Sequence, residues 1–176
     1  RAHSARPWQG ENALYRAIPL LERLRDFGRR EVRFGDLVFY EVIVATTAAT
    51  YNSRNVVPDV FDLNVNFRFA PGNTAERAEA ELRALVGDDA AVEVTDSAPA
   101  GDVHADHPLV RDWISREALP VRPKQAWTDV ARFTAAGIPA VNFGPGETAQ
   151  AHQANEWCSV ESLAFCYESL RRWFAS

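Results

Sequence analysis

Phe61, Leu63, Val65, Phe67 and Phe69 alternate with Asp62, Asn64, Asn66 and Arg68. In an extended chain this alternation puts every apolar side chain on one face and every polar one on the other. The segment predicts a strand at the border of core and solvent, so the chain must build a sheet with one covered face. Leu37 to Ala45 is a denser run of β-branched and aromatic residues. It predicts a strand buried on both faces. A polar loop with Thr46, Thr47, Thr50, Asn52 and Ser53 joins the two.

Helices should flank these strands. Leu14, Ala17, Ile18, Leu21 and Leu24 recur at the 3.6-residue period over 12–26, with Pro19 placed to kink or restart the helix. Arg29-Arg30 follows as a polar loop. After the Pro71-Gly72 turn, Asn73 can cap a helix that buries Ala75, Ala78, Leu82 and Leu85, and Glu76 would complete a capping box. Glu79 and Arg83 stand at i,i+4 on its exposed side. Ala91 to Asp96 reads as a short strand. The order helix, strand, strand, helix, strand becomes a ferredoxin-like split βαβ sandwich if one strand precedes residue 1. The fold class is therefore α/β in the broad sense, of the α+β kind.

The stretch Ser97 to Gly101 reads as a boundary, giving domains over 1–98 and 99–176. Beyond it the pattern predicts helices over 107–118 and 128–136 and a buried strand from Ile138 to Phe143. A Gly144-Pro145-Gly146 turn follows. A last helix should run from an N-cap at Ser159 to about Phe174, with Leu163, Cys166, Leu170 and Trp173 on one stripe. The lack of methionine and of a first strand both suggest a piece of a longer protein.

Composition excludes some classes. The net charge of −5 comes from interleaved acids and bases, and no basic stripe suited to nucleic acid is present. No apolar run approaches the roughly 20 residues of a membrane span, and Arg1 to Gly10 holds no apolar signal core. A soluble, cytoplasmic protein without nucleic-acid or membrane partners is expected. Cys158 and Cys166 lie too far apart along a helix to bridge, and read as free thiols.

Four histidines are candidates for chemistry: His3, His104, His107 and His152. His104 and His107, with Asp102 and Asp106, resemble a metal cluster but equally suit a loop leading into a helix. His152 follows a turn after the 138–143 strand, where an open α/β sheet places ligands, and imidazole is a common zinc ligand. No nucleophile elbow and no phosphate-binding glycine loop occurs.

Taken together, several motifs carry a family resemblance. His3-Ser4-Ala5-Arg6-Pro7 with Gly10-Glu11-Asn12-Ala13 resembles the opening of the lid domain in the zinc aminoacylase/carboxypeptidase superfamily. Asn55-Val56-Val57-Pro58-Asp59 and Asn66-Phe67-Arg68-Phe69 resemble its next loop and strand. Residues Ala126 to Phe133, Gly137 to Gly146, Ala151-His152 and Glu156 are similar to its C-terminal signature. The form of Trp127 to Phe133 is similar to the actinobacterial desuccinylase branch. Ala48 to Asn52 departs from the Gly-rich loop common in relatives. Gln153 and Ala154 stand where a basic residue is common.

The resemblance implies a lid/dimerisation domain followed by the C-terminal part of a catalytic domain. It implies two zinc ions per complete subunit (cobalt being possible), with His152 as the one metal ligand found here. It further implies that His3 stabilises the oxyanion in a partner subunit's site, and that Asn55, Arg68 and Thr128 hold the substrate's carboxylates and amide. The implied partners are a second copy, bound through the lid, and a small N-acyl amino acid. The implied reaction is zinc-dependent hydrolysis of N-succinyl-LL-2,6-diaminopimelate to succinate and LL-diaminopimelate, towards lysine and the cell wall. The alternatives are a deacylase for acetyl-ornithine or acetyl-lysine, or an inactive dimerisation module. Zinc would lower the pKa of a bound water towards about 7.

Overall fold

The computed structural model describes residues 1–151 and 153–175. It divides into two compact units, Arg1–Ala100 and a second from Gly101 onward. No helix among the described residues is long and apolar enough to cross a membrane.

In the first unit the chain begins with β1 (Ala2–His3) and a 3-10 turn at Pro7–Gln9. The expected helix is split into α1 (Ala13–Arg16) and α2 (Ile18–Phe27). Pro19 accounts for the break: it lacks an N–H to bond back, so it suits only the first turn of a new helix. Leu20 and Leu24 form the buried stripe of α2.

Two strands follow, β2 (Arg29–Phe34) and β3 (Leu37–Ala49), paired antiparallel from Arg29↔Val42 to Phe34↔Leu37. The two-residue connection is Gly35-Asp36. Gly35 has φ +58, the sign that the tight hairpin turn demands. After β4 (Val56–Val57), β5 (Asp62–Arg68) pairs antiparallel with the other edge of β3, from Val42↔Arg68 to Ala49↔Asp62, with a bulge between Ala45 and Thr47. The sheet order is β2-β3-β5. Then comes α3 (Ala75–Val86). Leu20, Leu24, Ile43 and Val86 form the core, joined by Phe27, Leu63, Val65, Phe67, Leu82, Leu85 and Val92. Two helices thus cover one face of an antiparallel sheet, an α+β arrangement.

Several sequence expectations are corrected. Arg29 and Arg30 lie in a strand, not a loop, and that strand, β2, pairs with β3 in the three-stranded sheet. Ala91 to Asp96 is not a strand. Val92 packs on the core, but its carbonyl accepts from Arg83 Nη1 at 3.1 Å rather than from a neighbouring strand. β3 is not buried on both faces: Phe39, Glu41 and Ile43 are buried, while Val44 on the other face is exposed. The cap of α3 is Thr74, whose hydroxyl accepts from the Arg77 N–H at 3.2 Å; the Asn73 side chain turns instead to Glu41. Glu79 and Arg83 do pair, at 2.7 Å.

The second unit holds α4 (Pro108–Glu117), α5 (Val130–Ala135) and α6 (Val160–Phe174). Ser159 caps α6 by accepting from the Ser162 N–H at 3.0 Å. Trp113 of α4 stacks on Trp173 of α6 at 4.6 Å and meets Phe143 edge-on at 4.5 Å. Its indole N–H donates to the buried Ser169 hydroxyl at 2.9 Å. Arg172 and Glu117 join the same two helices. Ile138 to Phe143 is not a strand, and Ile138 and Val141 are exposed. On α6 Cys166 and Ser169 are buried, but Leu163 is 53% exposed. Both corrections have one cause: these apolar side chains meet no covering layer among the described residues.

Candidate functional site

β1 and β4 determine the geometry around His3. Ala2 pairs with Val57 and His3 with Val56. The Ser4 N–H donates to the Asn55 carbonyl at 2.8 Å. His3 and Asn55, 52 positions apart in sequence, therefore sit on adjoining rungs. Both are exposed.

Three contacts hold this short ladder in place. Arg1 grips Asp59 through Nε at 2.8 and 2.9 Å, and the Ala13 N–H donates to the Pro58 carbonyl at 2.9 Å. Arg1 keeps the Asp59 carboxyl below the usual carboxylate range. Gly10 supplies the third. A Cβ there would come within 3.1 Å of the Ala2 side chain and 3.2 Å of the Arg1 backbone, so a larger residue would have to push the ladder aside by a few tenths of an ångström. Asn12 then caps α1 by accepting from the Leu14 N–H at 3.0 Å.

The His3 ring is oriented by its own turn. Its Nδ1 accepts from the Ala5 N–H at 3.1 Å. A backbone N–H can only donate, so this Nδ1 is bare and the neutral ring carries its proton on Nε2. The result is an exposed imidazole with a fixed face and a donor at the far nitrogen. On the other strand Asn52 shapes the loop, its amide donating to the Val56 carbonyl at 2.7 Å and to that of Ser53 at 3.0 Å. Sequence reading placed Asn52 in a polar loop without seeing this role; an amide four residues before a strand was the available signal.

Arg68 stands elsewhere. It is exposed at the last position of β5, opposite Val42, whereas Asp62 at the first position lies opposite Ala49, where the chain leaves towards Asn55. Six strand residues span about 20 Å. Asp62 bonds the Tyr51 hydroxyl and pushes its pKa up. Arg68 thus belongs to the three-stranded sheet, whereas His3 and Asn55 belong to the separate β1–β4 ladder.

In the second unit Thr128 is half-buried just before α5. Its hydroxyl accepts from the Asn142 amide at 3.1 Å, and its carbonyl accepts from the Ala131 N–H at 3.1 Å. Asn142 thus joins the candidate set, a residue the sequence motif contained but did not single out. His152 lies outside the described residues. Among the described residues no three His, Cys, Asp or Glu side chains come together as metal ligands. They therefore offer no fit for zinc by themselves. His104 and His107 sit in the turn leading into α4, with the His107 N–H donating to the His104 carbonyl at 3.1 Å. Cys158 and Cys166 are both free thiols, and burial pushes the Cys166 thiol up.

Comparison with known proteins adds an independent line. Residues 1–93 match the model of the peptidase dimerisation domain of the M20 class. The chain is 35% identical over 174 residues to "Putative succinyl-diaminopimelate desuccinylase DapE" of Mycobacterium tuberculosis strain H37Rv, covering 98% of this chain and 49% of that protein. It is 35% identical over 170 residues to succinyl-diaminopimelate desuccinylase of Corynebacterium glutamicum, covering 93% of this chain and 46% of that protein. It is 29% identical over 182 residues to acetylornithine deacetylase of Myxococcus xanthus, covering 97% and 48%. The chain spans about half the length of these curated relatives.

Proposed function

This chain belongs to the family defined by the M20 peptidase dimerisation domain, and on that premise we propose that it forms the lid and part of the catalytic domain of an N-succinyl-LL-2,6-diaminopimelate hydrolase. The substrate reading is supported by the two desuccinylases at 35% identity. The single observation that carries it further is the β1–β4 ladder, which presents His3 and Asn55 together on an exposed rim of the lid.

In this reading the Nε2–H of His3 donates to the carbonyl oxygen as charge develops there during attack. A preorganised donor of this kind is worth about 3 kcal/mol of barrier. Asn55 and Thr128 bond the substrate's amide and carboxylate groups, with Asn142 holding the Thr128 hydroxyl in place. Arg68 takes a carboxylate through its planar fork. Arg68 stands in the three-stranded sheet and His3 in the separate β1–β4 ladder. In this reading the protein is a homodimer in which His3 and Asn55 of one subunit complete the site of the other. The dimerisation-domain match supports such a pairing.

Zinc dependence rests on likeness to the family and on His152 as one ligand. The remaining donors belong to the half of the relatives' length that this chain does not span. The exposed apolar side chains Ile138, Val141 and Leu163 are where that remainder would pack. We place the protein in the cytoplasm.

A second reading has its own support in the Myxococcus acetylornithine deacetylase at 29% identity. Steady-state hydrolysis by the full-length protein separates the two. A kcat/KM for N-succinyl-LL-diaminopimelate about tenfold or more above that for N-acetylornithine supports the desuccinylase; the reverse order supports the deacetylase.

A further inference from the structure

The proposed reaction leaves two cations at the His3 end of the lid unused. Residues 1–16 and 51–60 carry four arginines, Arg1, Arg6, Arg16 and Arg54, against two carboxylates, Glu11 and Asp59. Arg1 takes Asp59 at 2.8 Å and Arg16 takes Glu11 at 2.9 Å. Arg6 and Arg54 remain, both exposed, and neither meets a carboxylate among the described residues. A local surplus of two positive charges stands out in a chain whose net charge is −5.

Both arginines are tied to the backbone of the proposed site. The Arg6 N–H donates to the His3 carbonyl at 2.8 Å, closing the same turn in which the Ala5 N–H fixes the His3 ring. The first and fourth Cα atoms of such a turn lie within about 7 Å of one another, which is inside the reach of an arginine side chain. Arg54 directly precedes Asn55, whose carbonyl takes the Ser4 N–H. The local fold therefore sets the backbones of two arginines without a carboxylate partner among the described residues beside the two residues proposed to meet the scissile amide.

The chemistry of an N-succinyl substrate matches this placement. Its acyl carboxylate is joined to the scissile carbonyl through three C–C bonds of about 1.5 Å each, so it lies about 4 Å from that carbon when extended. An N-acetyl substrate has no charge there. The carboxylate next to the amine is common to both substrates and is left to Arg68. Clustered positive charge also raises the local concentration of an anionic substrate.

We propose that Arg6 and Arg54 bind the carboxylate of the substrate's acyl group, making the lid selective for succinyl over acetyl. This rests on the hydrolase reading above and adds the choice of acyl group to it. The test uses the full-length protein with Arg6→Ala, Arg54→Ala and the double substitution, assayed on N-succinyl and N-acetyl derivatives of the same amino acid. The ratio of kcat/KM for succinyl over acetyl should fall about tenfold or more in the double variant, mainly through KM, with Arg6→Lys recovering part of it. An unchanged ratio, whether both substrates suffer equally or neither does, overturns the proposal. Absence of turnover on either substrate by the unsubstituted protein overturns the hydrolase reading instead. The acyl-carboxylate site is then judged by succinate titrated into the present chain. Arginine Nε–H NMR signals of Arg6 and Arg54 should move more with succinate than with acetate, and signals that stay put overturn it.

Discussion

Glu41 is the residue whose position was hardest to read and whose consequences are easiest to measure. It sits in the apolar run from Leu37 to Ala45, where the sequence names no partner for a carboxylate. It is 3% exposed. Burial alone would push its carboxyl up. The Ala70 N–H at 3.0 Å, the Asn73 amide at 3.1 Å and Arg30 at 2.7 Å outweigh that and hold it below the ordinary range. Arg30 also meets Glu81 of α3 at 2.5 Å, so Glu41 and Glu81, bridged by Arg30, tie β2, β3, the turn before α3 and α3 itself together. A folded-state pKa below the unfolded one contributes stability that is present above the ordinary carboxylate pKa. That stability is lost as pH falls through the depressed value. Glu41→Ala should cost about 2 kcal/mol at pH 7, since it leaves buried donors unpaired, and the gap to wild type should narrow in acid. Urea unfolding followed by circular dichroism, repeated down the pH scale, checks both; a gap that stays constant contradicts the ionised network.

Among elements, legibility followed the source of the signal. The strand Asp62–Arg68 was plain because strict alternation has one structural meaning. The restart at Pro19 was plain because proline lacks a donor. Arg29–Phe34 was hidden because Arg30, on the covered face, is neutralised by Glu41 and Glu81, partners 11 and 51 positions away. Apolar content at 138–143 reports a tendency to be buried but not where the covering layer comes from. The cap of α3 was misplaced by one residue, because Asn73 and Thr74 are both good caps and only the fold assigns Asn73 to Glu41. Thr74→Ala should therefore cost about 1 kcal/mol through the helix start. Asn73→Ala should act mainly through Glu41, so its effect should largely vanish in a Glu41→Ala background, as read by a double-mutant cycle. Additive losses would contradict this division of labour.

The site residues were named from a family pattern, and their spatial grouping could not be read from order along the chain. His3 and Asn55 share a ladder, whereas Thr128 lies beyond the boundary between Ala100 and Gly101. At the scale of the whole molecule two predictions follow from that scatter. Zinc titrated into the 176-residue chain should bind weakly in calorimetry, because no described cluster offers three ligands. Tight uptake of about two ions per chain would contradict that. The shared site is tested most directly by mixing. In the full-length protein His3→Ala and His152→Ala should each be inactive alone. Co-expressed, the two variants form mixed dimers in which one site keeps both His3 and His152, and statistical pairing should restore about a quarter of wild-type turnover. Mixed dimers confirmed by mass that stay as inactive as either parent would contradict a site completed by the partner's lid.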